Sequence, residues 1–120
     1  MDDKVGDKTV FDKDEALKMF DNDKEFLKEL VEIFINDVSE HMSEIKEAVD
    51  SRNSEALEKS AHKLKGAVTN FGKSATTDTA FKLETMGKEN NLDGVEEVYD
   101  TLVKDVKNLM NALKEFVKSE

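Results

Sequence analysis

Cysteine, proline and tryptophan are absent from this chain, and tyrosine occurs once. Without cysteine there is no disulfide scaffold, no thiolate zinc site and no cysteine nucleophile, and the chain suits a reducing compartment. Without proline, and with only five glycines, little in the composition interrupts a helix. Long apolar runs are missing as well: no stretch approaches the roughly 18 residues of a membrane span. The N-terminus, MDDKVGDKTV, is acidic where a secretory signal is basic and then apolar. The expectation is a cytoplasmic protein with no membrane insertion. Positive charge is in deficit, and the net charge of -10 repels nucleic acid and anionic lipid, which argues against either as a partner. A chain of 120 residues holds one core, which excludes a multidomain enzyme. Leu, Ile, Val and Phe make up about a quarter of it, above the roughly one-fifth floor below which a highly charged chain stays unfolded.

What is present is helical periodicity. The first ten residues carry none and are expected to form a flexible arm, with the folded domain over 11–120. Asp12 followed by Glu15 has the spacing of a capping box and starts a short helix through Phe20. Asn22 or Asp23 caps a long helix, along which Leu27, Leu30, Val31, Phe34, Ile35, Val38, Met42, Ile45 and Val49 recur at three- and four-residue steps. Asn53 caps the next, with the stripe Leu57, Ala61, Leu64, Val68 and Phe71, and Gly72 suits its left-handed terminus. Ser74 caps a fourth helix to about Glu89, with Ala80, Leu83, Met86 and Gly87 inward, and Asn90 and Asn91 break it. Asp93 and Glu96 have capping-box spacing before a last long helix marked by Val95, Leu102, Val106, Leu109 and Leu113. Short linkers favour antiparallel neighbours, so the expected fold is all-α: an antiparallel up-down-up-down four-helix bundle with a short extra N-terminal helix. Four stripes closing one core predict a monomer.

The reactive inventory reduces to two histidines, lysines, hydroxyls and carboxylates. At about 100° per residue His41 falls within roughly 60° of its helix's apolar stripe, and His62 about 140° from its own. His41 is therefore a partly buried packing residue and His62 faces solvent. Around His62, the stretch from Lys59 to Lys73 holds Lys59, Lys63, Lys65 and Lys73 and no acid, which reads as a positive patch on an acidic body. Lys65 and Gly66, three and four residues on, share a helix face with His62. A glycine inside a helix costs about 1 kcal/mol relative to alanine. Either Gly66 leaves room for something outside, or it lets a neighbouring helix approach. Its offset of nearly 180° from the stripe, at about 100° per residue, favours the first.

Glu84 stands at about the height of His62 if the third and fourth helices form a hairpin turning at Gly72, roughly 15 to 18 Å from the turn at about 1.5 Å per residue. Spacing alone leaves it either a solvated acid or the partner of the His62 ring. As a partner, its carboxylate would accept from Nδ1 and leave Nε2 unprotonated and nucleophilic. No glycine-rich phosphate loop or kinase signature is present, so no nucleotide site is expected. Asp12, Asp14, Asp21 and Asp23 lack the glycine and glutamate spacing of a calcium loop, and no metal ligands are assigned.

The run from Ala61 to Gly72, AHKLKGAVTNFG, resembles the signature of histidine-containing phosphotransfer (HPt) domains, roughly H-x-L-K-G-[SA]-x-x-x-[LF]-G. The resemblance extends to the helix carrying LVEIFINDV, the LET segment and the last helix, over about residues 12 to 117. It implies that His62 is phosphorylated on its outer ring nitrogen, that Lys65 interacts with the phosphoryl group, that Gly66 admits the partner and that Glu84 orients the ring. Lys59, Lys63, Thr69 and Lys73 then join Gly66 as candidate docking residues. Ala67-Val68 stands where many members have Ser-Ala, and Phe81 where some chemotaxis-kinase members have a second histidine. The implied function is a phosphorelay carrier in two-component signalling, exchanging a phosphoryl group with aspartates of response-regulator receiver domains downstream of a sensor histidine kinase. Such a carrier is not an enzyme and needs no cofactor of its own, Mg²⁺ coming from the receiver. The alternative is an adaptor bundle without chemistry that docks an acidic partner through its lysines.

Overall fold

The computed structural model describes residues 8–119. Five helices follow one another: α1 (Lys13–Met19), α2 (Lys24–Asp50), α3 (Ser54–Thr69), α4 (Ala75–Lys88) and α5 (Val95–Lys118). No strand occurs among the described residues. Four starts are set by short polar side chains that take up an orphan backbone N–H: Asp12 accepts from Glu15, Asp23 from Phe26, Asn53 from Ala56 and Ser74 from Thr77. Thr77 returns the bond to the Ser74 backbone and completes a capping box.

The fifth start differs from the sequence reading. Asp93 and Glu96 form no capping box. Gly94, at φ +75°, takes the N-cap position with no side-chain cap, and the turn closes through Val95 N–H to the Leu92 carbonyl. Glu96 is engaged elsewhere: its carboxylate accepts from Arg52 Nη1 at 2.7 Å, while Arg52 Nη2 donates to the Leu92 carbonyl. One guanidinium thus ties the α2–α3 turn to the α4–α5 turn.

The arm expected over 1–10 lies outside the described residues as far as residue 7. Its end belongs to the packed body, because Val10 is buried and the Thr9 carbonyl accepts from the Ala75 N–H at 2.7 Å.

α3 packs between α2 and α4, and α5 closes the ring against α4 and α2, with α1 laid on α2. The stripes meet in one core: Leu27, Val31, Phe34, Val38, Ile45 and Val49 face Leu57, Ala61, Leu64 and Val68, with Leu83, Leu102, Leu109 and Leu113 completing it. Leu30, Ile35 and Met42 are only partly buried, at the margins of the α2 stripe. Phe71 lies past the end of α3 and seals it edge-on against Phe34, with ring centroids 5.5 Å apart. Gly72 follows at φ +86°, the left-handed conformation that lets the chain leave α3 and enter α4 within a few residues.

α3 and α4 approach closely at Gly87. A Cβ there would stand 2.6 Å from both the Ser54 carbonyl oxygen and the Glu58 amide nitrogen, so the missing side chain is occupied by the backbone of α3. This close crossing fixes the lateral fit of the two helices that carry the site.

Candidate functional site

Every member of the site sits on α3 or α4. Because Ala61 and Leu64 are buried, the helical period turns His62 outward, and its side chain is 67% exposed. Leu83 is buried on α4, which brings the adjacent Glu84 to the seam between the helices with only 16% of its side chain exposed. There Oε2 lies 2.8 Å from His62 Nδ1. Of the two readings that spacing left for Glu84, the partner of the ring is the one realised. An ionised carboxylate only accepts, so Nδ1 carries the proton, and in the neutral imidazole Nε2 then has its lone pair on the side away from Glu84.

The other carboxylate oxygen, Oε1, lies 2.8 Å from Lys65 Nζ. Glu84 thus bridges the ring and the ammonium. The Lys65 contact combines hydrogen bonding and charge at a buried oxygen, with the ammonium set off the ideal hydrogen-bond direction. Burial by itself would push the Glu84 carboxyl up, but the bonds and charges of Lys65 and His62 outweigh it and hold the group below the usual carboxylate range.

Gly66, one residue beyond Lys65, is exposed, and a Cβ built on it meets nothing within 4 Å. The close-approach reading of this glycine is thereby removed: the helix contact that spares a side chain belongs to Gly87. His41 is half-buried on α2, as expected of a packing residue.

The lysine run does not form a bare positive patch. Lys59 pairs with Glu55 at 3.3 Å, Lys63 with Glu44 at 3.4 Å, Lys65 with Glu84 and Lys73 with Asp78 at 3.8 Å. Acids distant in sequence, on α2 and α4, are folded against the stretch that looked acid-free. Lys73 stands in the α3–α4 turn, beyond the end of α3. The Thr69 hydroxyl donates to the Lys65 carbonyl at 2.7 Å, a bond internal to the helix. Of the candidate residues, the fold gathers His62, Lys65 and Glu84 at one point with Gly66 beside them, and disperses the rest along α3 and into the turn after it.

One residue at this point was not singled out from sequence for a part in the chemistry. Phe81, three positions before Glu84 on α4, is 56% exposed, and Lys65 Nζ lies 4.8 Å from its ring centroid. The three-residue spacing to Glu84 is the signal that points to it. Among the described residues, no group of three or more His, Asp or Glu side chains is placed to hold a metal ion, and no helix is long and apolar enough to cross a membrane.

This geometry coincides with a family match. The Hpt domain profile covers residues 29–116, which takes in α3, α4 and the whole His62 site. The chain is 28% identical over 109 residues to the phosphorelay intermediate protein rdeA of Dictyostelium discoideum, covering 91% of this chain and 43% of that protein. It is 30% identical over 79 residues to the phosphorelay intermediate protein YPD1 of Candida albicans, covering 66% of this chain and 43% of that protein. The chain therefore spans less than half the length of these curated relatives. No solved structure gives a significant match. A profile match over most of the chain, an all-helical fold and an exposed histidine held by a partly buried carboxylate agree, and the protein belongs to the Hpt domain family.

Proposed function

We propose that the protein is a phosphorelay carrier: Nε2 of His62 takes a phosphoryl group from the aspartyl phosphate of a receiver domain and returns it to the aspartate of another. The observation that carries this reading is the ring of an exposed histidine, bonded through Nδ1 to a carboxylate that also binds a lysine. In transfer to the protein, the Nε2 lone pair forms the new N–P bond. The bond from phosphorus to the aspartate oxygen breaks, and its electron pair leaves with that oxygen. The ring acquires positive charge while its Nδ1 proton stays in the bond to Glu84, whose negative charge offsets it. Lys65 lies within reach of the transferring group's negative charge, and the bare backbone at Gly66 lets a receiver's acidic pocket come close enough for in-line transfer. The reverse step uses the same groups.

In this reading the four long helices run antiparallel, up-down-up-down, and the chain works as a cytoplasmic monomer. It has no nucleotide site of its own. A sensor histidine kinase stands upstream, and the receiver supplies the Mg²⁺. The adaptor reading is weaker than it looked, because the lysines that would dock an acidic partner are already paired with the protein's own acids.

The test is incubation with a phosphorylated receiver domain and Mg²⁺. The expected product is a phosphoprotein labile to acid and stable to base, with the group on His62. His62→Gln abolishes labelling and His41→Gln leaves it intact; labelling that survives His62→Gln would overturn the assignment.

A further inference from the structure

The four lysines of the stretch around His62 are not equivalent. Lys59, Lys63 and Lys73 keep 75%, 59% and 79% of their side chains exposed, whereas Lys65 keeps 28%. What lies against Lys65 is an aromatic ring that leaves more than half of its own surface in water. An exposed phenylalanine contributes little to a core, and Phe81 is absent from the packed cluster that closes the bundle. Its placement, however, is specific: one turn before Glu84 on the same face of α4, with the Lys65 ammonium over the ring.

We infer that Phe81 is a positioning residue for Lys65, holding the ammonium beside Glu84 in the resting protein and at the same height when it turns to the phosphoryl group. This rests on the carrier reading above. The physical case lies in what each neighbour of the ammonium does. Glu84 attracts it by charge, but the carboxylate is also needed by the His62 ring, and the ring's demand rises as Nε2 takes up phosphorus and becomes positive. The ammonium must then give up part of its hold on Oε1 and turn to the incoming negative oxygens. A lysine on a flexible four-carbon stem that lost its only anchor would spread over many rotamers. The face of an aromatic ring attracts a cation without a directed bond, so the ammonium can rotate its N–H groups from carboxylate to phosphoryl without leaving its seat.

Phosphoramidate is the probe that separates this role from receiver docking, because it presents no protein surface. Nε2 of His62 attacks phosphorus, the P–N bond of phosphoramidate breaks and ammonia leaves, so the small donor reports on the site alone. Wild type is expected to be phosphorylated at His62. Phe81→Leu is expected to retain the wild-type melt and to slow the initial rate about two- to fivefold, the size of an exposed cation–π contact. Phe81→Tyr restores the rate, and Phe81→Leu adds nothing in a Lys65→Ala background. The side-chain methylene protons of Lys65 carry an upfield ring-current shift in wild type and Phe81→Tyr that Phe81→Leu abolishes. A wild-type protein that takes no phosphoryl group on His62 from either donor defeats the carrier reading itself. With wild type active, a Phe81→Leu rate equal to wild type overturns the positioning role. So does a defect that persists in the Lys65→Ala background, or one seen only with a receiver as donor, which would make Phe81 a docking residue.

Discussion

Gly66 and Gly87 are each inside a helix, each pay the same entropic cost, and lie on adjacent helices, yet they are glycine for opposite reasons. At Gly87 the space a side chain would need is filled by the α3 backbone, with Ser54 O and Glu58 N both 2.6 Å from where a Cβ would stand. At Gly66 the space is empty to 4 Å. One glycine serves a contact already made within the molecule. The other serves a contact made only when a partner arrives. The difference teaches that an intrahelical glycine becomes informative about function when its own fold offers nothing to fill the gap. The two are also linked, because the close crossing at Gly87 sets the spacing of α3 and α4 and thereby the reach of Glu84, three residues earlier, to His62.

The sharpest way to break the comparison is at the crossing. Gly87→Ala is expected to destabilise the protein by about 1 to 3 kcal/mol, the usual cost of overpacking, despite the better helix propensity of alanine. The atoms in the way are backbone, which moves only if the helices part. Urea unfolding with circular dichroism measures this. A Gly87→Ala variant as stable as wild type would show that α4 slides without cost and that the crossing does not fix the site.

At Gly66 the sign reverses. Gly66→Ala is expected to raise stability by up to about 1 kcal/mol, since the unfolded chain loses freedom and nothing in the fold is disturbed. Gly66→Gln keeps the fold but puts a long side chain beside His62. Phosphotransfer from a receiver domain should then fall by about tenfold or more, roughly 1.4 kcal/mol of barrier, while phosphorylation by phosphoramidate is little changed. Thermal melts and transfer rates on the same preparations decide it. A Gly66→Gln variant that melts early would place a helix contact where the structure has open space.

The contrast between the two glycines was half legible from the chain. Hydrophobic period placed the four long helices and turned His62 outward, because that signal is local, while the short α1 was legible only from the capping position of Asp12. Gly66 was assigned to the surface by angle alone, and Gly87 to the interior. The capping of α5 was not legible: Asp93 and Glu96 have the right spacing, but the helix begins after a left-handed Gly94, and Glu96 is drawn to Arg52 on another turn. The lysine patch misled for a related reason. A run without acids in sequence says nothing of the acids that folding brings from Glu44, Glu84 and Asp78. Glu84 itself stayed open between two readings because a carboxylate beside an inward residue can point along the seam or out of it, and only packing decides. Phe81 was legible as an apolar residue on α4 but not as the seat of a cation, since the ring and Lys65 meet only across two helices.

The smallest expected effect tests whether the seam between these two glycines carries charge that matters to folding. Burial raises the Glu84 carboxyl, and Lys65 and His62 more than reverse this, so its folded pKa lies below its ordinary value of 4.5. In the window between the two values the unfolded chain binds more protons than the native one, and stability rises with pH. The contribution is therefore fully present above the ordinary carboxylate range and is lost as pH falls through the depressed native value. Glu84→Gln keeps an oxygen that accepts from Nδ1 but removes the charge. Its deficit relative to wild type, under about 1 kcal/mol for a pair at the protein surface, should be present at pH 7 and shrink as pH falls below the ordinary carboxylate value. The Gly87→Ala deficit arises from overlap of neutral backbone atoms and should stay constant over the same range. Urea titrations of both variants against pH distinguish the two kinds of contact. A Glu84→Gln deficit that does not change with pH would mean that Glu84 acts by shape alone, and that the charge bridge joining His62 to Lys65 adds nothing to the resting fold.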